Sequence, residues 1–171
     1  MTVNFKNRDF LIQLLNYKKY ISLISACLLV SGIHAHEVIG ISDGDTMTIL
    51  VDRKPVKIRL ANIDAPEKKQ PYSERSKQSL SSMCWGTDAT FIPELTDVYG
   101  RTVAVVKCDG IEVNRAQVQS GMAWVYPKYN KDVGLPGIEK GAKLKAIGLW
   151  VDQDAIPPWE FRKQISEGVH R

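Results

Sequence analysis

The chain has 171 residues, of which 44% are apolar and 25% are charged. A chain of this length and composition can bury one hydrophobic core and is not typical of a disordered protein, so we expect a single folded domain. The net charge is +4, but residues 1–35 contain four basic residues and one acidic residue. The remainder therefore carries a net charge of +1, and its bulk charge does not indicate a nucleic-acid-binding protein.

Residues 1–35 have the pattern of a secretory signal. Two lysines precede an apolar run of about 14 residues, and Ala35 is a small residue where a signal peptidase would cut. The run is shorter than the roughly 20 residues that a membrane-spanning helix needs. We therefore expect a periplasmic or secreted protein whose mature domain, residues 36–171, has no stable membrane span. An uncleaved membrane anchor and a lipid attached to Cys27 are the alternatives.

Two cysteines, Cys84 and Cys108, belong to the expected mature chain. Export permits a disulfide, and the two residues come close if 88–95 and 101–108 form a hairpin, because both then lie near its open end. The alternative is a pair of unbonded small apolar side chains. The sequence has no Cys-x-x-Cys pattern, which argues against metal binding through these thiols.

The pattern of the mature chain predicts a mainly β fold of the α+β class. We expect strands at about 36–42, 45–51, 56–62, 88–95 and 101–108, and helices at 73–83, 114–121 and 137–147. Alternation in the third strand turns Arg59 to the outer face, and Asn114 is expected to cap the second helix. In the tail, no helix is expected to continue through Pro157 and Pro158. Five short antiparallel strands with a helix after the third are the order of an OB-type barrel.

Four acidic residues are drawn to one end of the predicted sheet. Asp43 and Asp45 lie at the start of the second strand, and Asp64 and Glu67 follow the end of the third. Because these strands form a hairpin closed at residues 52–55, the start of one lies beside the end of the other. Clustered carboxylates repel each other unless a cation joins them, and their hard oxygens suit Ca²⁺ or Mg²⁺.

Arg59 lies near the same end of the sheet and could reach an anion held by that cation. A metal, an acid–base carboxylate and a guanidinium together suit the chemistry of phosphate esters. The alternative is that Asp43-Gly44 is only a turn and that Asp64 to Glu67 is a solvated loop before a helix. The residues alone leave both interpretations open.

Several short segments occur in an order and spacing that carry a family resemblance. They are Asp43 to Thr46, Arg59 to Glu67, Tyr99 to Ala104, Val113-Asn114, Gly121 to Trp124, Gly148 to Trp150 and Pro157 to Arg162. In these segments the sequence resembles the staphylococcal nuclease family. The resemblance implies a Ca²⁺-dependent endonuclease that hydrolyses DNA and RNA with little sequence preference and leaves 3′-phosphate ends. It implies no protein partner, and we expect a monomer.

The resemblance also implies a metal site. Asp45 and Asp64 match the carboxylates that bind Ca²⁺, and Asp43 matches a carboxylate that supports the site. Ala65 stands where the best-known member of the family has threonine, whose main-chain carbonyl binds the metal. Alanine retains that carbonyl, so the expected ligand set is unchanged.

The remaining roles implied by the resemblance concern the substrate. Glu67 matches the residue assigned as general base for the attacking water. Arg59 and Arg101 match the two arginines on the phosphate, where the fork of a guanidinium can contact two oxygens at once. For base stacking the candidates are Tyr99, Tyr126 and Tyr129, since aromatic rings stack on any base.

There are two alternatives to a nuclease. The first is a catalytically silent OB-fold module that binds single-stranded nucleic acid, and the second is a surface-interaction protein whose metal only stabilises the fold. Silent relatives lose a metal carboxylate or an arginine, whereas this sequence has the complete set. We therefore predict an active enzyme.

Overall fold

The computed structural model describes residues 35–168. Apart from its last residue, the predicted signal at residues 1–35 lies outside the described residues, and so does Cys27. Between residues 35 and 168, no helix is long and apolar enough to cross a membrane.

Five strands form a closed barrel in the described part of the chain. They are β1 (His36–Ile41), β2 (Thr46–Val51), β3 (Lys54–Leu60), β5 (Asp88–Thr96) and β6 (Thr102–Cys108). The order around the barrel is β3-β2-β1-β5-β6, and a parallel pairing of β3 with β6 closes it. Three strands of two residues each are added, β4 (Ile63–Asp64), β7 (Ile111–Glu112) and β8 (Trp124–Val125). The predicted five-stranded OB-type barrel of the α+β class is confirmed.

Four α-helices lie within residues 35–168, one more than predicted. They are α1 (Ser73–Cys84), α2 (Val113–Gln119), α3 (Leu135–Leu144) and α4 (Pro158–Ser166), and a 3₁₀ turn spans Gly148–Val151. The helix in the tail is not among those predicted, although its start agrees with the expectation that no helix continues through Pro157 and Pro158. Pro158 is the first residue of α4, where its missing N–H would have no partner within the helix in any case.

The β2–β3 hairpin is tighter than predicted. Its turn consists of Asp52 and Arg53, both with positive φ, as a two-residue turn of this kind requires. Pro55 therefore lies inside β3, opposite Leu50. The position tolerates proline because the pairing of β3 with β6 begins only at Ile58, so the missing N–H leaves no gap between two strands.

Asn114 is not the helix cap that the sequence predicted. The residue before α2 is Glu112, and Asn114 is buried inside the helix. Its side-chain oxygen accepts the Val106 N–H at 2.9 Å, and its amide donates to the carbonyls of Ala61 at 2.9 Å and Ala104 at 3.2 Å. Asn114 therefore joins α2 to β6 and to the turn that follows β3. That turn leads directly into the acidic segment.

A disulfide joins Cys84, the last residue of α1, to Cys108, the last residue of β6. The two Cα atoms are 5.3 Å apart, and both side chains are buried in the main apolar core. The sequence left open a disulfide or a pair of unbonded side chains, and the structure contains the disulfide. The bond ties α1 to the barrel wall.

Replacing both cysteines with alanine is expected to lower the free energy of unfolding by about 2–4 kcal/mol, because the unfolded chain loses a cross-link. Urea denaturation of the double variant, with the reduced wild-type protein as control, measures the change. The two should lose similar stability. Equal stability of the variant and the oxidised wild type would contradict the presence of the bond.

Candidate active site

The β2–β3 hairpin places Asp45 beside the end of β3. Thr46 pairs with Arg59, and the Asp45 carbonyl accepts the Leu60 N–H at 2.8 Å. The first strand of the hairpin thus starts where the second ends. This is the arrangement from which the sequence predicted a carboxylate cluster.

A sharp turn after β3 brings Asp64 to the same place. Asn62 has a φ of 69°, and its side-chain oxygen accepts the Lys131 N–H at 2.8 Å, which holds the turn in this conformation. The chain then forms β4, in which Asp64 pairs with Trp124. The Asp64 side chain is only 3% exposed, and that of Asp45 only 7%.

Arg59 joins the two buried carboxylates. Its Nη2 atom lies 2.7 Å from Asp64 Oδ1 and 3.2 Å from Asp45 Oδ2. Its Nη1 atom donates to the carbonyls of Leu60 at 2.7 Å and Ile63 at 2.9 Å. Four contacts fix the guanidinium, which lies at the base of the site and not on a freely solvated outer face.

Asp45 lies in surroundings that disfavour its charge. The pKa of Asp45 is raised to about 7, chiefly by burial; the nearby Asp43 and Asp64 also raise it, while Arg59 and a hydrogen bond from the Ala65 N–H lower it. Asp43 is close because its Oδ1 accepts the Asp45 N–H at 3.1 Å. The cluster therefore has more negative charge than its arginine neutralises.

Gly44 allows the acidic loop to pack closely against α1. A Cβ at this position would overlap Ser76 Oγ and would approach the Ala65 Cβ to 2.9 Å. The Gly44 carbonyl accepts a hydrogen bond of 2.6 Å from the buried Gln117 side chain of α2. Glycine at this position is thus required by packing, in addition to any role in a turn.

Arg162 of α4 is a site residue that the sequence analysis did not identify. Its Nη2 lies 2.8 Å from Asp64 Oδ2, and its Nη1 lies 2.5 Å from Glu67 Oε1. Its segment was matched to the family, but 95 residues separate it from Glu67. Without a predicted helix in the tail, no local pattern pointed to the contact.

A cavity of about 1020 Å³ opens above this cluster, and Arg101 and Asp43 contribute to its wall. Arg101 does not contact the carboxylates described above. Its Nε lies 2.7 Å from Asp97 Oδ2, at the tip of the β5–β6 hairpin. Four further cavity residues are basic, namely Lys68, Lys77, Lys128 and Lys131. Seven acidic residues line it as well, so the cavity lining, like the bulk charge, shows no excess of basic residues.

The three candidate tyrosines all line the cavity but differ in how much of the ring is free. Tyr99 is 81% exposed. Tyr126 is stacked on Trp159, with ring centroids 5.3 Å apart and planes inclined by 5°, so one of its faces is covered. Tyr129 packs edge-on against Tyr126 and is 54% exposed. Tyr99 and Tyr129 can offer a ring face to a base, whereas Tyr126 is partly structural.

The oxygen atoms at the base of the cavity fit a hard divalent cation. Among residues 35–168, no group of three or more His, Cys, Asp or Glu side chains forms a metal cluster. The Asp45 and Asp64 carboxylates both contact Arg59, and the Ala65 N–H donates a hydrogen bond of 2.6 Å to Asp45 Oδ2. Carboxylate and carbonyl oxygens suit Ca²⁺ or Mg²⁺. Burial raises the pKa of Asp45, and a bound cation would favour its charged form.

Comparison with known proteins shows the family to which the chain belongs. The model described as "Staphylococcal nuclease homologue" matches residues 57–152, more than half of the chain. The chain belongs to the staphylococcal nuclease family. The match includes Arg59, Asp64, Glu67 and Arg101. This nuclease is therefore an enzyme, an endonuclease that hydrolyses phosphodiester bonds in nucleic acids.

Relatives of this staphylococcal-type nuclease cover most of its length. An "Uncharacterized endonuclease" of Escherichia coli O157:H7 is 42% identical over 150 residues, which are 85% of this chain and 97% of the relative. Another of that description, from Haemophilus influenzae, is 41% identical over 74% of this chain and 72% of its own. A "Micrococcal nuclease" of Shigella flexneri is 37% identical over 74% of this chain and 79% of its own.

Asp45→Asn is expected to stabilise the nuclease in a buffer free of divalent cations. The neutral amide removes a buried charge, so the gain at pH 8 should be on the order of 2 kcal/mol. The folded-state pKa of Asp45 lies above its ordinary value of 3.8. The free energy of unfolding of the wild type is therefore highest, as far as this group is concerned, below pH 4, and it falls as the pH rises to about 7. The advantage of the variant should grow over the same range.

Urea denaturation of both proteins at pH 4 and pH 8 measures this difference. A variant less stable than the wild type at pH 8 would contradict the assignment of Asp45 as an undercompensated buried carboxylate.

Proposed function

We propose that this nuclease is a Ca²⁺-dependent enzyme that cleaves DNA and RNA with little sequence preference and leaves 3′-phosphate ends. The observation that carries the proposal is the cluster at the base of the cavity. There Arg59 contacts the buried carboxylates of Asp45 and Asp64. Arg162 contacts both Asp64 and Glu67, and Arg101 lies on the cavity wall.

Asp45, Asp64 and the main-chain carbonyl of Ala65 would hold the cation. When bound, Ca²⁺ would supply positive charge that polarises the phosphate and offsets the charge of the buried carboxylates. Asp43 supports the site through its hydrogen bond to the Asp45 N–H, which keeps the start of β2 in place.

Glu67 would act as the general base. Its side chain is 38% exposed and lines the cavity, so a water molecule can reach it. The carboxylate takes a proton from this water as the water oxygen forms a bond to phosphorus. The bond between phosphorus and the 5′-oxygen breaks, and that oxygen takes up a proton from solvent.

Arg59 and Arg101 would stabilise the charge on the phosphate oxygens. Two guanidinium groups on the base and wall of one cavity can contact a phosphate from different sides, and such contacts strengthen as charge develops in the transition state. Arg101 would exchange its ion pair with Asp97 for the phosphate. That pair is partly exposed, so exchanging it costs little.

The cavity rim suits a nonspecific nucleic-acid substrate. The side chains of Lys68, Lys128 and Lys131 are exposed and can attract the phosphates that flank the scissile bond. Tyr99 and Tyr129 provide ring faces that stack on any base. None of these contacts reads a base edge, which is why we propose little sequence preference.

A DNA and an RNA zymogram, each with Ca²⁺ or with EGTA, test the proposed activity. We expect clearing of both gels with Ca²⁺ and none with EGTA. Clearing that persists in EGTA would contradict the role of the cation. No clearing under any condition would favour a silent module that binds single-stranded nucleic acid.

Glu67→Ser and Arg101→Gly are each expected to lower kcat by about 100-fold or more, because each removes a contact to the reacting water or phosphate. Glu112→Ser is the control, since Glu112 lies outside the cavity in an exposed ion pair with Arg115. Initial rates on plasmid DNA measure the effect. Turnover near the wild-type rate in both variants would overturn the assigned roles.

We also propose that the nuclease is exported and that residues 1–35 are removed, as their sequence pattern indicates. The disulfide between Cys84 and Cys108 supports a location outside the reducing cytoplasm. N-terminal sequencing of the protein from the periplasm and medium should find His36 first. A product that retains its first residues, or begins at Cys27 with a lipid, would contradict cleavage at Ala35.

A further inference from the structure

The C-terminal segment, residues 156–162, contacts the part of the chain that contains Asp64 and Glu67 at several points. One attachment passes through the buried Gln70. Its side-chain amide donates to the Ile156 carbonyl, and its side-chain oxygen accepts the Glu67 N–H at 3.0 Å. A single side chain therefore holds the backbone of the proposed base and the start of the C-terminal segment together.

The second attachment is the aromatic stack between Trp159 and Tyr126. The two rings are nearly parallel, and Tyr126 is itself hydrogen-bonded through its backbone N–H to the Asn62 carbonyl at 2.9 Å. Asn62 belongs to the turn that places Asp64. The start of α4 is thus fixed on the same turn that positions the buried carboxylates.

The third attachment is the guanidinium of Arg162, which bridges two carboxylates. One nitrogen contacts Asp64 Oδ2 and the other contacts Glu67 Oε1, at 2.8 Å and 2.5 Å. Within residues 35–168, Arg162 is the one side chain that hydrogen-bonds the Glu67 carboxylate. The other oxygen of Glu67 accepts no hydrogen bond from the described residues.

We propose that Arg162 is a positioning residue, which orients the Glu67 carboxylate so that its second oxygen accepts the proton of the attacking water. The proposal rests on the function proposed above. A general base acts efficiently only when its proton-accepting atom is held at hydrogen-bond distance from the water, and a third group commonly holds it there. A partly exposed glutamate with three rotatable bonds would otherwise sample many conformations.

The contact with Glu67 distinguishes Arg162 from the two arginines assigned to the phosphate. Arg162 hydrogen-bonds both Glu67 and Asp64, whereas Arg59 and Arg101 make no hydrogen bond with Glu67. If Arg162 acts through Glu67, its loss changes the chemical step and leaves substrate binding almost unchanged. The expected signature is a lower kcat at a nearly constant KM.

A double-mutant cycle tests this coupling. The four proteins are the wild type, Arg162→Met, Glu67→Ser and the double variant, assayed on DNA at saturating Ca²⁺. We expect Arg162→Met to lower kcat on the order of 10- to 100-fold in the wild-type background, because a misplaced group loses much of its effect. In the Glu67→Ser background it should change kcat less than about twofold, since the residue through which it acts is absent.

Two further variants distinguish the bridging geometry of Arg162 from its positive charge and from a general effect on the helix. Arg162→Lys retains the positive charge but cannot bridge both carboxylates with a planar fork, so we expect a kcat between those of the wild type and Arg162→Met. Lys163→Met, on the same helix and mostly exposed, should retain wild-type kcat and KM. Thermal unfolding shows whether each variant is folded, and Arg162→Lys replaces Arg162→Met in the cycle if the latter is not.

Several results would overturn the proposal. Equal losses in the two backgrounds would show that Arg162 does not act through Glu67, and a raised KM with unchanged kcat would make it a phosphate-binding residue. Calorimetric titration should show Ca²⁺ binding that is not weakened in Arg162→Met, and a Kd raised enough to explain the lost turnover would also contradict us. An inactive wild-type protein would instead overturn the proposed function, and this inference with it.

Discussion

The site depends on the balance of charge around two buried carboxylates. Asp45 and Asp64 are almost completely excluded from water; Arg59 contacts both carboxylates, and Arg162 contacts Asp64 as well. A buried carboxylate is costly unless positive charge or hydrogen bonds compensate it. Burial is the main reason that the pKa of Asp45 is raised. A site of this kind is unstable by itself and is well suited to a cation, which is the physical basis for proposing Ca²⁺.

The fold keeps this unfavourable cluster together by fixing each chain segment that contributes to it. The β2–β3 hairpin fixes the start of one strand beside the end of the other. Gly44 allows α1 to pack directly on the loop, and the disulfide ties α1 to β6. The C-terminal segment closes the other side through Gln70 and Arg162. Stability gained in the barrel and its helices therefore offsets the cost of the acidic site, as is usual for functional sites.

The barrel and the acidic cluster were predictable because they follow from local patterns. Alternation and turn residues place Asp45 and Arg59 beside each other on one hairpin, and Asp64 follows shortly after its end. The hydrogen bond from Asn114 to Ala61 and the bridge from Arg162 to Glu67 were not predictable in this way, because 53 and 95 residues separate the partners in the chain. The start of α4 was missed for another reason: proline prevents a helix from continuing but suits its first turn. The resemblance to the family identified Arg101, which looks like an ordinary hairpin charge when taken alone.

A crystal structure of the protein grown with Ca²⁺ tests the account most directly. We expect one cation bound by Asp45, Asp64 and the main-chain carbonyl of Ala65, with Glu67 still held by Arg162. The same crystals grown with EGTA should lack that density. A cation bound elsewhere, or no cation while Asp45 and Asp64 keep their contacts with Arg59, would contradict the claim that the buried carboxylates form a metal site.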